Sequence, residues 1–437
     1  MSLDVSLFKR LESLLGPDFS SLHLCVAFSG GLDSTVLLHL LAQLAPRLHF
    51  RLSTVHVHHG LSPNADGWAV HCERFALSLG IPCEIHRVSV ERHGDGLEAA
   101  ARDARHAVFA ALDYDWVVLA HHRGDQAETV LHRLMRGAGV HGAAGMRAMD
   151  ASRRLLRPLL DEPREALLAW AQTHGLIWIE DESNADARFR RNFLRNEVLP
   201  LLRTQQAGVE ANFARAAGLF EESAQLLDEL AASDAAQIAP GTAGSLDALR
   251  QLSAPRARNL LRYLLVQAGA LPPATDRLVE ALRQLHEAQD GVRLLFGDLA
   301  LCTWRNAVWI EAESNAPAEP QVWRGETELQ WHGGVLTFAP GAGSQALRMK
   351  PDGSVRIVTR KGGERLRPHA DGPSRAFKQL AQEADIPPWR RQRLPCLWQG
   401  DELVWIAGLG ANAAWHCTEG ESGWIVAWSG SERPDRQ

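Results

Sequence analysis

The chain has 437 residues, of which 46% are hydrophobic and 22% are charged, a balance typical of soluble globular proteins. This length exceeds what one hydrophobic core organises, so we expect two or three domains. The net charge of −6 does not indicate a nucleic-acid-binding protein. It does not exclude one either, because phosphate contacts depend on local clusters of Lys and Arg.

The cysteines and the hydropathy of the chain indicate the cellular compartment in which the protein works. The six cysteines are scattered without a Cys-x-x-Cys pair, which argues against a structural zinc site and a disulfide framework. No apolar run approaches the roughly 18 to 20 residues that cross a bilayer. The N-terminus lacks the small-residue cleavage site of a signal peptide. We therefore expect a protein of the reducing cytoplasm with no membrane partner.

The N-terminal part of the chain alternates short apolar strands with helices. The predicted strands are 22–28, 52–59, 83–90 and 115–122, and the predicted helices are 33–44, 67–79, 97–112 and 125–135. This alternation predicts an α/β fold with a doubly wound parallel sheet, in which ligands bind beyond the carboxyl ends of the strands. From 162 to about 285 the pattern is mainly helical, and after a polar linker at 313–320 a small mixed α/β segment follows.

The strongest motif is SGGLDS, between the first predicted strand and its helix. Its two glycines let the backbone approach an anion, and the first N–H groups of the helix point at that anion along the helix dipole. Asp33 repels phosphate unless a cation bridges them, so we predict that it positions Mg²⁺. The alternative is a turn in which Asp or Ser only caps a helix. The predicted ATP-binding residues are Ser29, Gly30, Gly31, Leu32, Asp33 and Ser34.

Two further pairs of charged residues suit chemistry at the same edge of the sheet. Asp125 and Glu128 are three residues apart at the start of a helix, hence on one face. They can share Mg²⁺ or accept a proton from an attacking amine, or they only cap the helix. Arg102 and Arg105 are also three apart and can clamp phosphate. Their alternative is an exposed face that forms ion pairs with Glu98.

Basic residues are concentrated in two places. Between Arg356 and Arg393 there are ten Lys and Arg against four Asp and Glu, and a smaller cluster lies between Arg188 and Arg195. Such segments bind nucleic acid or form solvated faces.

The SGGLDS motif resembles the signature of the PP-loop ATP pyrophosphatase superfamily, whose members cleave ATP between the α- and β-phosphates and adenylate a carbonyl-type oxygen. Longer segments resemble the tRNA(Ile)-lysidine synthetase family, namely 55–68, 96–109, 120–146, 157–160, 180–202 and 360–398. Two positions depart from that family's pattern. Gly124 stands where Asp is frequent, and His106 stands where another aromatic residue is usual.

The resemblance implies ligation of free L-lysine to C2 of the wobble cytidine of tRNA(Ile) with a CAU anticodon. An adenylated tRNA forms on the way, and pyrophosphate and AMP are released. Asp33 and Asp125 would hold Mg²⁺, Glu128 would bind or deprotonate lysine, and Arg102 or Arg105 would neutralise developing charge. The residues expected to bind tRNA are Arg191, Arg195, Arg365, Arg367, Lys378, Arg390 and Arg391.

With this resemblance we predict a PP-loop catalytic domain at 1–205, a helical tRNA-contacting domain at 206–315 and a basic tRNA-binding domain at 316–437. Three other functions stay open: tRNA thiolation, which usually needs a cysteine pair; small-molecule amide synthesis; and a non-catalytic RNA-binding scaffold. The oligomeric state is open too, with a homodimer as one candidate.

Overall fold

The structure is a computed structural model that describes residues 2–90, 97–182, 190–238, 244–288, 291–313, 319–332 and 334–429, with only the backbone at positions 97 and 98. Most of the predicted linker at 313–320, together with Arg188 and the side chain of Glu98, lies outside this part of the chain. Two compact units are present, Met1–Leu226 and Leu227–Gln437.

The first unit alternates strands and helices as the sequence predicts. Its strands are β1 His23–Ala27, β2 Arg51–His58, β3 Cys83–Arg87, β4 Trp116–Val118, β5 Met149–Asp150 and β6 Leu155–Leu156. Its helices are α1 Leu3–Leu15, α2 Leu32–Leu48, α3 Ala65–Ser78, α4 Leu97–Ala111, α5 Arg123–Met135, α6 Val140–Ala143, α7 Arg164–Thr173, α8 Arg190–Phe193 and α9 Leu199–Gln205, with a π-helical turn at Leu194–Val198. Helix α10, Val209–Ile238, begins in this unit.

The sheet of the first unit has the strand order β3-β2-β1-β4-β6-β5. Strand β1 pairs in parallel with both β2 and β4, and only β5 runs antiparallel. The order reverses beside β1, which is the switch point where doubly wound sheets bind ligands. The predicted strand at 115–122 is shorter in the structure, because the chain leaves the sheet after Val118 and reaches the start of α5 at His122.

Apolar side chains cover both faces of this sheet. Leu24 and Val26 of β1 pack in one cluster with Leu37 and Leu41 of α2, all fully buried. Cys25 faces the other way, in a second cluster that includes Phe109 of α4. Because both faces of the central strands are covered, β1 and β4 read as mostly apolar runs.

The second unit combines helices with antiparallel sheets. Its helices are α11 Leu246–Gln251, α12 Ala254–Gln267, α13 Thr275–Glu287, α14 Phe377–Glu383 and α15 Pro388–Arg391. Its strands are β7 Gly244–Ser245, β8 Arg293–Phe296, β9 Leu299–Trp304, β10 Ala307–Ala312, β11 Gln321–Trp323, β12 Glu328–Trp331, β13 Gly334–Ala342, β14 Val355–Thr359, β15 Arg365–Leu366, β16 Arg375–Ala376, β17 Pro395–Gln399, β18 Glu402–Ile406, β19 Gly410–Ala411 and β20 Ser422–Ser429.

The first three of these helices share a core with β8 and β9, and a separate core forms around Trp323, Trp331 and Phe377. The predicted fold class is confirmed: a doubly wound parallel sheet, then a helical region, then a small mixed α/β region. Among the described helices, none has the length and apolar character needed to span a membrane.

Candidate active site

The SGGLDS loop joins β1 to α2 at the switch point of the sheet. Gly31 is the N-cap of α2, and the Thr35 N–H makes the helical bond to its carbonyl at 3.0 Å. The first N–H groups of a helix have no partner within it, so this end offers donors to an anion. The Ser29 and Ser34 hydroxyl oxygens lie 3.0 Å apart, and Ser34 donates to the Gly31 carbonyl at 3.1 Å. The loop is therefore braced from within.

A residue distant in sequence fixes the position of this loop. The Ile179 N–H donates to the Gly30 carbonyl at 2.8 Å. Gly30 has φ +83°, and a Cβ there would lie 2.5 Å from Ile179 Cδ1 and 3.0 Å from Cys72 Sγ. Glycine at position 30 is thus required by conformation and by space.

We expect Gly30→Ala to lower stability and to weaken nucleotide use. A left-handed conformation costs a non-glycine residue roughly 1–2 kcal/mol, and contact with Ile179 adds to this cost. Gly80→Ala is the matched control, because Gly80 has φ +70° with no atom within 4 Å of the added Cβ. Urea unfolding should show a loss for both variants, whereas KM for ATP should rise only for Gly30→Ala. Equal KM values for both variants would contradict the assignment of the loop.

Asp33 lies in the first turn of α2 with 30% of its side chain exposed. Its Oδ1 is buried and has no hydrogen-bond partner among the residues that the structure describes, and Arg164 Nε is 4.0 Å away. Burial raises the pKa of this carboxyl, and electrostatic interactions with His122 and Arg164 only partly offset the rise. A buried carboxylate oxygen without a donor is costly, and a cation beside a phosphate would satisfy it. Asp33 is therefore suited to bind magnesium.

Asp125 and Glu128, both buried on α5, bind two arginines from the segment after α7. Arg191 donates through Nη2 to Asp125 Oδ1 and through Nε to Glu128 Oε2, each at 2.9 Å. Arg195 donates to the same oxygen of Asp125 at 2.7 Å and to Glu128 Oε1 at 2.6 Å. We call these four residues the acid–arginine cluster.

The cluster changes what Asp125 can do. Burial favours the neutral acid, but electrostatic interactions with His122, Arg191 and Arg195 outweigh it and hold the pKa of Asp125 well below its usual value. Its Oδ1 accepts from both arginines, and its Oδ2 accepts the backbone N–H of His122 at 2.9 Å. Both oxygens are occupied, so Asp125 is a weaker candidate than Asp33 for magnesium. Within the described ranges, no three His, Cys, Asp or Glu side chains form a metal cluster.

The arginines predicted to bind tRNA near the middle of the chain thus have partners within the protein. About a third of the Arg191 side chain and of the Arg195 side chain stays exposed. The structure brings them to the predicted catalytic carboxylates, a proximity that their sequence pattern does not show.

His122 was not among the predicted site residues. It is the N-cap of α5, where its Nδ1 accepts the Gly124 N–H at 3.0 Å. Its Nε2 lies 3.8 Å from Asp33 and 3.6 Å from Asp125. The adjacent pair His121 and His122 was a visible signal, but histidine is not a usual capping residue.

Arg102 and Arg105 lie on α4, Arg102 exposed and Arg105 half-buried. Burial, and next the charge of Arg105, lowers the pKa of His59. Burial also lowers the pKa of His121 to about 3, with Arg105 a smaller cause. Because these histidines follow β2 and β4, Arg105 lies within electrostatic reach of the carboxyl ends of the strands.

His106, the other departure from the family pattern, is also half-buried. Burial and the charges of Arg102 and Arg105 lower the pKa of His106 to about 4. It contacts the Phe109 ring edge-on at a centroid distance of 5.8 Å. The neutral ring thus serves in packing.

Comparison with known proteins identifies the family. A PP-loop domain matches residues 3–202, a TilS substrate binding domain residues 245–309 and a TilS substrate C-terminal domain residues 355–428. The tRNA(Ile)-lysidine synthase of Azoarcus sp. (strain BH72) is 47% identical over 410 residues, 93% of this chain and 91% of that protein. The enzyme of the same name from Pseudomonas aeruginosa is 44% identical over 447 residues, 97% of both chains. The chain belongs to the tRNA(Ile)-lysidine synthase family.

Membership in the tRNA(Ile)-lysidine synthase family confirms the resemblance, the assignment as a ligase and the use of ATP. A similar enzyme from Aromatoleum aromaticum is 47% identical over 412 residues, 93% of this chain and 97% of that protein. No comparison tests the individual site residues, so their roles stay predictions.

In the C-terminal region, the predicted tRNA-binding residues form two groups, one exposed and one with partners inside the protein. Arg365, Arg367 and Lys378 are exposed. Arg390 instead donates to the buried Glu311 at 2.8 Å and lies 5.4 Å from the centre of the Trp309 ring.

Arg391 is buried and donates through Nε to the Ile386 carbonyl at 2.8 Å. The Arg391 side chain thus has an internal partner, as has Arg390, and tRNA binding by these two residues stays a prediction. A run of adjacent arginines at 390–391 resembles a binding surface in sequence, but the fold uses both to hold the region together.

We expect Arg390→Ala to lower the free energy of unfolding by about 2 kcal/mol, because Glu311, whose side chain is 9% exposed, loses a charged donor and keeps the Trp309 Nε1–H at 3.1 Å and Arg293 Nε at 3.7 Å. Arg365→Ala is the matched control and should change the free energy of unfolding by less than about 0.5 kcal/mol. It should remove one phosphate contact with tRNA and so reduce the slope of log K against log salt concentration by about 1. Urea unfolding followed by tryptophan fluorescence measures the stability of both variants, because ten of the 14 tryptophans lie after residue 300 and so report on this region. Filter binding at several salt concentrations measures the slope. The reverse ranking in stability would contradict the two assignments.

Proposed function

We propose that the protein forms lysidine by ligating free lysine to C2 of the wobble cytidine of tRNA(Ile) with a CAU anticodon. The C2 oxygen attacks the α-phosphorus of ATP, and pyrophosphate leaves. The ε-amine of lysine then attacks C2, AMP leaves with the oxygen, and the amine loses a proton. The observation that carries the proposal is that the start of α2, the buried Asp33 carboxylate and two further acidic side chains lie at one edge of one sheet.

The nucleotide phosphates fit the start of α2. The N–H groups of the first turn would bind their oxygens, and the glycine at position 30 lets the backbone approach closely. Magnesium, with Asp33 as its protein ligand and phosphate oxygens as others, would neutralise charge on the leaving pyrophosphate. The half-buried Arg105 is the better placed of the two α4 arginines to stabilise charge that develops in the transition state.

Free lysine carries an ammonium group at each end and one carboxylate, and the acid–arginine cluster offers the complementary charges. Asp125 and Glu128 can accept hydrogen bonds from the ε-ammonium, which would displace part of the guanidinium contact. Arg191 and Arg195, each about a third exposed, can then turn guanidinium N–H groups to the lysine carboxylate as bidentate donors. In this arrangement Glu128 is an anchor for lysine before it is a base.

The tRNA would contact the protein at the active site and at the basic C-terminal region. A wobble base must leave its stack to reach a cleft at the end of a sheet. The exposed Arg365, Arg367 and Lys378 suit phosphate contacts with the rest of the molecule. We expect the enzyme to work in the cytoplasm, where ATP, lysine and tRNA occur together, and a homodimer remains one candidate for its assembly.

The deciding experiment incubates the purified protein with ATP, labelled lysine and an unmodified CAU-anticodon transcript. Label should enter the RNA at the wobble position only when all three are present. A transcript with uridine at that position is the control and should stay unlabelled. Loss of product without lysine, with no effect of a sulfur donor, excludes thiolation. Pyrophosphate exchange without tRNA would favour an amide synthetase, and absence of both label and pyrophosphate would favour a scaffold.

A further inference from the structure

The backbone fixes the orientation of the His122 ring. The residue is only 2% exposed, and Nδ1 accepts the Gly124 N–H at 3.0 Å. Because a backbone N–H can only donate, Nδ1 carries no proton and the proton of the neutral ring lies on Nε2. The ring therefore presents a donor on its far side.

That donor faces two carboxylates. Nε2 has no hydrogen-bond partner, and it lies 3.8 Å from Asp33 Oδ2 and 3.6 Å from Asp125 Oδ2. Asp125 already accepts hydrogen bonds at both oxygens. The buried Oδ1 of Asp33 accepts none from the described residues and has Arg164 Nε 4.0 Å away, and Oδ2 is the atom that faces His122. A shift of about 1 Å by Asp33 would bring it within hydrogen-bonding distance. Asp33 is thus the acceptor with more to gain.

Gly124 provides the space that the ring occupies. A Cβ at position 124 would lie 2.8 Å from Cε1 and 3.1 Å from Nδ1 of His122. Position 124 is helical, so a side chain is excluded by the ring and not by backbone conformation. Glycine at position 124 thus leaves room for the ring of His122 in this placement.

We propose that His122 is a positioning residue that donates its Nε2–H to Oδ2 of Asp33 and so presents Oδ1 to magnesium, with Gly124 leaving room for the ring. The inference rests on the proposed role of Asp33 in magnesium binding. Partners of this kind orient a ligating carboxylate, and their loss typically costs 10- to 100-fold in metal affinity.

The test compares His122→Asn and Gly124→Ala with wild type in tRNA-dependent pyrophosphate release. Asn at position 122 keeps an acceptor for the helix cap but cannot reach Asp33. Both variants should raise the half-saturating Mg²⁺ concentration by roughly 10- to 100-fold, with a smaller change in kcat at saturating Mg²⁺. Gly67→Ala is the matched control, since it lies in helix α3 with nothing within 4 Å of the new Cβ.

A second readout needs no activity. Nitrogen-15 NMR of the nucleotide-free protein should show His122 protonated on Nε2 and not on Nδ1, and Gly124→Ala should remove this signature. Protonation on Nδ1 in wild type, or an unchanged Mg²⁺ dependence in Gly124→Ala, would overturn the inference. If instead Asp33→Asn leaves the Mg²⁺ dependence unchanged, the proposed role of Asp33 itself fails.

Discussion

Asp33→Asn is expected to abolish lysidine formation while making the nucleotide-free protein more stable. A ligand that neutralises phosphate charge is worth several kcal/mol in the transition state, so pyrophosphate release should fall by a factor of roughly 1,000. The same carboxylate is half-buried with an oxygen that lacks a partner. Replacing it by a neutral amide removes this cost and should raise the free energy of unfolding by about 0.5–2 kcal/mol.

The pH dependence of that gain gives an independent check. Because burial raises the folded-state pKa of Asp33, ionisation destabilises the fold at neutral pH, and the penalty is relieved as the pH falls through the folded pKa. The difference between Asp33→Asn and wild type should therefore shrink towards acid and vanish below the unfolded pKa of about 3.9. Asp66 is the control of opposite sign, because a hydrogen bond from Arg87 lowers its pKa. Thermal unfolding from pH 7 downwards measures both, and a less stable Asp33→Asn would contradict this account.

Glu128→Gln is expected to impair the use of lysine more than the use of ATP. The change keeps the shape of the side chain but removes its charge, and a hydrogen bond to a charged group contributes about 1.5–3 kcal/mol. KM for lysine should rise by roughly 10- to 100-fold. Stability should also fall, because Arg191 and Arg195 lose one of their two acidic partners.

Steady-state assays with lysine and ATP varied in turn separate the two substrates. Glu73→Gln is the matched control, an exposed glutamate on helix α3 of the same unit, and it should change neither KM. An equal rise in KM for ATP and for lysine in Glu128→Gln would show that the cluster supports the whole cleft and does not bind lysine in particular.

The sheet and the phosphate loop could be predicted because their signals are local. Strand and helix periodicity lies within short windows, and SGGLDS sits directly between β1 and α2. The placement of Asp125 beside Asp33 also follows, since the carboxyl ends of parallel strands meet at one edge.

The acid–arginine cluster could not be predicted in the same way. Arg191 and Glu128 are 63 residues apart, and nothing in the spacing of a basic segment shows which arginines turn inward. Arg390 and Glu311, 79 residues apart, are a second case. Pairing of this kind depends on how the helices and sheets pack, and a single sequence read by itself does not show it.

The contact between Ile179 and Gly30 also affects how the site is assembled during synthesis. The loop at residue 30 leaves the ribosome early, but Ile179, which holds it in place, follows almost 150 residues later. Arg191 and Arg195 come after Ile179. A nascent or truncated chain that ends before Ile179 should contain most of the sheet and yet hold nucleotide poorly. The first unit thus becomes competent to hold ATP only when its last part has been translated.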